Sequence, residues 1–216
     1  ISQFMLTFGS DPNAKVTKKS KSPLSFHPIA LIFGLLSFVS YLVEGAVGDW
    51  SALYLFEDKG IVIEEAVMGV MLFNGTMCIG RLLGNRLGKH LTSKQVVVGG
   101  YLLGSIAMGL IVFLPGHASM YTYLLLGISL AMIVPNLFSA MGEQNVIPMT
   151  QAVATSTMLG YMGILMGPAL IGFIAHGTSL TVAFIVLTTL LVVSAGIGKY
   201  AYHLMSKDCG LSEEQI

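Results

Sequence analysis

Charge is what this chain has least of. Only 10% of its 216 residues are Asp, Glu, Lys or Arg, against about 25% in an ordinary soluble domain. With 54% hydrophobic residues and a mean hydropathy of +0.79, that shortage argues against a soluble globular domain. Cysteine is scarce too. Cys78 lies in an apolar stretch and Cys209 in a polar tail, so no disulfide framework is implied. Neither C-x-x-C nor H-E-x-x-H occurs, and no metal or other cofactor is expected. The formal net charge is zero and the basic residues sit in short connections, which leaves no footprint for nucleic acid.

Long apolar sequence is abundant. Six stretches, at roughly 29–56, 64–84, 95–114, 120–141, 150–175 and 178–204, each reach the roughly 20 residues that cross about 30 Å of hydrocarbon. The expected fold is an all-α polytopic membrane protein. Its six-helix transmembrane domain covers 29–205, after a polar segment 1–28 and before a polar tail 206–216. Threading the chain through six times puts Lys15, Lys18, Lys19, Lys21, Arg81, Arg86, Lys89, Lys94, Lys199 and Lys207 on one side, and Lys59 alone on the other. An excess of Lys and Arg marks the cytoplasmic face, so both termini of this chain are expected there. Residues 1–28, Lys-rich with Pro23 and Pro28, read as a cytoplasmic linker. The first residue is Ile and no signal peptide precedes the first span, which reads as part of a longer product.

Polar groups inside hydrocarbon are costly and need a reason. Glu44 lies about 12 residues from the external end of the first span, roughly 18 Å deep. Ser37, Ser40, Tyr41, Gly48 and Ser51 recur around it at helical spacing, as a polar stripe on one face. One reading has Glu44 contact substrate or exchange a proton, since desolvation disfavours its charged form. The other has it hydrogen-bonded to a neighbouring helix. Asp49 is expected to cap, gate or pair with Lys59. Trp50, the single Trp, reads as an interfacial anchor or a substrate-stacking aromatic. The second span places Met71, Asn74, Cys78 and Arg81 on one face, with Arg81 at the helix end. The fourth offers Ser129, Asn136, Ser139 and Glu143, with Pro135 permitting a bend. The fifth offers Gln151, Thr155 and Met158. Asn74 and Asn136 are candidates for substrate contact or for interhelical hydrogen bonds. Gly163 and Gly167 form a G-x-x-x-G, which lets membrane helices approach closely. Counted this way, no Arg lies deep within a span. That disfavours a strongly anionic substrate and suits a polar neutral or weakly cationic small molecule.

Six spans also divide into two sets of three, the plan of an inverted repeat in which spans one and four correspond. Between spans two and three the chain reads Gly80-Arg-Leu-Leu-Gly-Asn-Arg-Leu-Gly-Lys-His90. This loop resembles the major facilitator superfamily signature G-x-x-x-D-R-x-G-R-R. Asn85, Arg86, Gly88 and Lys89 match its D-R-x-G-R part, with Asn for Asp and Lys for Arg. Arg81 stands where the first Gly would be, with Gly80 beside it. The degenerate form is typical of the second copy, so the chain resembles the C-terminal half of such a transporter. Residues 44–51 are similar to helix seven of a bacterial inner-membrane subgroup of that superfamily.

The resemblance implies alternating access by two six-helix halves rocking around a midplane site. An N-terminal half would then be the partner, and Glu44, Asn74 and Asn136 would line one cavity wall. Arg81, Asn85, Arg86, Gly88 and Lys89 would act as a conformational gate, and Asn85 lacks the charge of the family's acidic residue. The function expected is secondary active, proton-coupled transport of a small solute, in a bacterial inner membrane. A receptor or channel on the same fold is the alternative, although no filter-like Gly/Thr run or ring of charges marks a pore. An intramembrane serine protease would need a Ser and a partner His inside the membrane, whereas His27, His90, His117, His176 and His203 all sit in loops or at span ends. An enzyme is therefore not expected.

Overall fold

The computed structural model describes residues 24, 27–87, 91–144 and 146–209. Most of the expected linker and tail lies outside them, as do Gly88 and Lys89 of the loop signature. Pro28 opens the first helix, where a missing N–H costs nothing, and His27 Nδ1 accepts from the Ile29 N–H at 3.3 Å. This helix, α1 (Pro28–Glu57), is followed by α2 (Ile63–Leu87) and α3 (Ser93–Phe113). Thr92 and Gln95 close a reciprocal capping box at the start of α3, which satisfies two otherwise orphaned amides.

The fourth span is three pieces: α4 (Gly116–Tyr121), α5 (Tyr123–Ala131) and α6 (Ile133–Glu143). The break at Met132 comes three residues before Pro135, which has no N–H to give the Ala131 carbonyl. α7 (Met149–Gly177) and α8 (Leu180–Cys209) complete the chain. α8 runs past the expected limit of the transmembrane domain at residue 205.

All six spans are long and apolar enough to cross a bilayer. The first packs mainly on the fifth, the second on the fourth and the third on the sixth. Exchanging spans one to three with four to six leaves this pairing unchanged, which is the contact pattern of an inverted repeat. α1 is the most buried span and is recessed between α2 and α7, the two least buried at the level of the whole span.

In a bilayer, close packing holds helices together more than water exclusion does. α1 and α7 run in the same direction and stay in contact along their length. Gly34 faces Leu159, Gly163 faces the Phe38 carbonyl, Gly167 faces the Leu42 carbonyl, and Gly172 faces the Trp50 ring. A Cβ at Gly163 or Gly167 would collide with α1 backbone. The G-x-x-x-G thus belongs to the α1–α7 seam. Gly45 closes from the other side on the Ile164 carbonyl, which Pro168 leaves without its helical amide.

Elsewhere, Tyr54 stacks on Phe184 at 4.2 Å and Phe33 meets Tyr202 edge-on at 5.5 Å. Tyr101, fully buried on α3, donates to the Leu36 carbonyl at 2.7 Å and receives the Ser40 hydroxyl at 2.8 Å. Gln144 secures the turn into α7. Its Oε1 accepts from Val146 and Ile147 amides, and its Nε2 donates to the Met141 and Ile147 carbonyls.

Candidate functional site

The recess formed by α1, α2 and α7 holds the site. On α2, Met71, Asn74, Cys78 and Arg81 recur every three or four residues, so they share a face. All four are exposed on the uncovered side of the helix. Arg81 leaves that face sideways, toward α1. Its Nη2 lies 3.2 Å from Glu44 Oε2. The two side chains keep 44% and 23% of their surface, so the pair is partly desolvated yet reachable from the uncovered side. One turn before Glu44, Tyr41 stacks on Tyr161 of α7, with ring centres 6.3 Å apart and planes 10° from parallel. Gly160 makes that stack possible, because a Cβ there would enter the Tyr41 ring. One turn after Glu44, Gly48 faces open space. A band of hydrogen-bonding and aromatic groups therefore crosses from Arg81 on α2, over Glu44 and Tyr41, to Tyr161 on α7.

Several expectations change. The six-residue polar stripe of the first span splits in two. Tyr41, Glu44 and Gly48 turn to the recess, whereas Ser37, Ser40 and Ser51 are buried in the bundle. Ser37 bonds back to the Phe33 carbonyl and Ser40 bonds to Tyr101. Arg81 is not at a helix end. α2 continues to Leu87, which sets the guanidinium against the middle of α1. Arg lies deeper than counting implied, and Glu44 is not a lone carboxylate.

Asp49 is exposed, and no ion pair joins it to Lys59. Lys59 Nζ instead donates to the Val112 carbonyl at 2.6 Å and sits 5.3 Å from the Tyr54 ring centre. Trp50 donates its indole N–H to the Pro168 carbonyl at 3.0 Å and packs on Gly172. It ties α1 to α7, a role that neither sequence reading anticipated.

Asn74 and Asn136 each give an amide hydrogen to a carbonyl one turn back in their own helix, Val70 and Met132. Asn74 shares the exposed face with Arg81. Asn136 is half-buried on α6 and makes no direct bond to Glu44 or Arg81. Asn85 and Arg86 fall in the last turn of α2. Among the described residues no group of three His, Cys, Asp or Glu side chains is placed to hold a metal ion. The signal that could have found the Arg81–Glu44 pair was present: two side chains of opposite charge within consecutive antiparallel spans.

A paired carboxylate and guanidinium can accept and donate charge-assisted hydrogen bonds at one place while keeping the net charge of the recess near zero. Flanking tyrosine rings offer flat apolar surface and polar edges. That chemistry fits a small polar solute of no net charge.

No family model matches the chain. An uncharacterized MFS-type transporter of Yersinia pestis is 41% identical over 168 residues, covering 76% of this chain and 43% of that protein. The membrane protein MosC of Rhizobium meliloti is 30% identical over 170 residues, covering 77% of this chain and 42% of that protein. The chain thus spans less than half the length of these relatives. A crystal structure of a variant of the E. coli fucose:proton symporter superposes with a TM-score of 0.70 at 16% identity, over 81% of this chain and 43% of that one.

Proposed function

Since the chain has a major facilitator superfamily (MFS-type) transporter fold and matches the C-terminal six-helix half of such a two-part protein, we propose that it forms one wall of a carrier that moves a small polar solute by alternating access, driven by protons. The opposite wall comes from an N-terminal six-helix half. Glu44 is the coupling residue. As a carboxylate it holds Arg81. A proton bound at its carboxylate oxygen removes the charge, releases the guanidinium and frees both groups to meet solute hydroxyls. Asn74, Tyr41 and Tyr161 extend the contact surface, Asn136 contributes from the fourth span, and Asp49 faces the external mouth. Trp50 acts by keeping α1 and α7 in register. Asn85, Arg86, Gly88 and Lys89 form the gate on the side rich in basic residues, with Arg81 joining gate and site.

The observation that carries this reading is the Arg81–Glu44 pair in the recess: a carboxylate midway along a membrane-length helix, set against a guanidinium of the next helix. The fucose:proton symporter shares the fold, and a shared fold leaves solute and coupling to be argued from the site. We place the protein in the bacterial inner membrane with both termini of this chain cytoplasmic. Cysteines substituted for Lys59 and for Ser93, each tested alone, should then label from opposite sides.

The decisive experiment is flux into proteoliposomes of the full-length protein, with pooled sugars and other uncharged polar solutes and with or without an imposed proton gradient. Accumulation that needs the gradient and disappears in Glu44→Gln, with the protein still folded, supports the mechanism. Gradient-driven accumulation that persists in Glu44→Gln removes Glu44 from coupling. No flux from correctly oriented protein turns the reading toward a receptor.

A further inference from the structure

A second feature lies away from the recess, on α3 and α8. It is a groove of about 680 Å³ between α3 and α8, lined by Thr92, Lys94, Gln95, Val98, Leu102 and Lys199. A second groove of about 360 Å³ follows the other side of α3 and is lined by Leu103, Ile128 and Met132 among others. The two share Gln95 and Gly99. A Cβ at Gly99 would meet nothing, so the ridge between them is low and they form one forked depression. Its polar groups gather at one end, and the walls beyond are apolar.

The depth of the two lysines is the telling relationship. Lys94 lies nineteen residues from the external end of α3 at Phe113, and Lys199 lies nineteen residues from the start of α8 at Leu180. At 1.5 Å per residue each separation is about 28 Å, the thickness of the hydrocarbon layer. Both ammonium groups therefore stand at the same membrane–water boundary, on the side assigned to the cytoplasm, over a groove that descends into the acyl region. Two lysines at that level, lining one groove with Thr92 and Gln95, match a phosphodiester. Two apolar branches match two acyl chains.

We infer that this fork is a binding site for one anionic diacyl phospholipid. The headgroup phosphate sits between Lys94 and Lys199, one chain lies against Val98 and Leu102, and the other against Leu103 and Ile128. Basic pockets between membrane helices on the cytoplasmic side hold anionic headgroups in this way. The inference needs only the membrane placement of the fold and is independent of what the recess carries.

Native mass spectrometry of the full-length protein tests it, in mild detergent with an equal mixture of dioleoyl phosphatidylglycerol and dioleoyl phosphatidylcholine. The expected result is preferential retention of phosphatidylglycerol. Retention should fall by on the order of tenfold in Lys94→Gln/Lys199→Gln and persist in Lys94→Arg/Lys199→Arg. Gly99→Leu, which fills the fork and leaves both lysines, should also reduce it. Equal retention by the parent and the Gln pair overturns the proposal, as does full retention in Gly99→Leu. Displacement of the lipid by excess inorganic phosphate would instead define a free-anion site and also overturn it. If the Gln pair does not fold, the Gly99→Leu and phosphate arms still decide.

Discussion

Arg81 of α2 and Glu44 of α1 are 37 residues apart in sequence and 3.2 Å apart in space. Either charge alone would be costly if it faced hydrocarbon, about 2.5–3.5 kcal/mol on insertion scales. Exposure of both groups to the recess limits the net worth of the pair to about 1 kcal/mol or less. Its value is therefore positional: it fixes two opposite charges at the edge of the recess.

Reversing the charges tests that pairing. Glu44→Arg and Arg81→Glu should each lower the folded yield and the Tm, because each puts two like charges in contact. The double reversal should recover most of the loss. A double variant no better than the worse single would show that the two groups do not interact as a pair.

The glycine seam should be intolerant in proportion to what each glycine faces. Gly163→Ala and Gly167→Ala push a methyl into the Phe38 and Leu42 carbonyls and should cost about 1–3 kcal/mol. Gly196→Ala, where an added Cβ meets nothing, should instead stabilise the helix by about 0.5–1 kcal/mol. Thermal unfolding of the three variants in one detergent checks the order.

Tyr101→Phe removes a hydroxyl that serves the Leu36 carbonyl and Ser40 together. Leaving buried groups unpaired should cost about 1–3 kcal/mol. Tyr101→Phe/Ser40→Ala should cost less than the two single effects added. Additive losses would mean that the two hydroxyls are not coupled.

At the turn between α1 and α2, partial burial holds the Lys59 ammonium below its usual value, with nearby Asp58 opposing the shift. A cationic group lowered on folding destabilises the folded state while charged. Between the lowered value and the ordinary 10.5 the unfolded chain binds more protons. Stability should therefore rise with pH through that window. The rise should be smaller in Lys59→Met, measured as Tm against pH from about 8 to 10.5.

The six spans were legible because twenty apolar residues in a row have few other uses. The exposed face of α2 was legible for a related reason. α2 is unbroken from Ile63 to Leu87, so spacing alone places Met71, Asn74, Cys78 and Arg81 together. The stripe around Glu44 was misread because α1 is recessed among several neighbours. Polar residues on its other sides, such as Ser40 and Ser51, can be buried against helices rather than face the cavity. Helix length hid the Arg81 contact, since ending the second span at residue 84 moves Arg81 to the boundary. The partner of the G-x-x-x-G, the anchoring of Trp50 on a carbonyl near Pro168, and the four bonds of Gln144 depend on which helices become neighbours, and one sequence does not carry that.

The unbroken α1–α7 seam has a mechanical meaning. Backbone pressed on backbone at Gly163 and Gly167, with Trp50 fastened near the far end, makes the two helices one stiff beam that resists both sliding and splaying. The fourth span is jointed at Thr122 and again at Met132. Strain reaching this bundle is then carried whole by the beam and taken up as bending at those two joints.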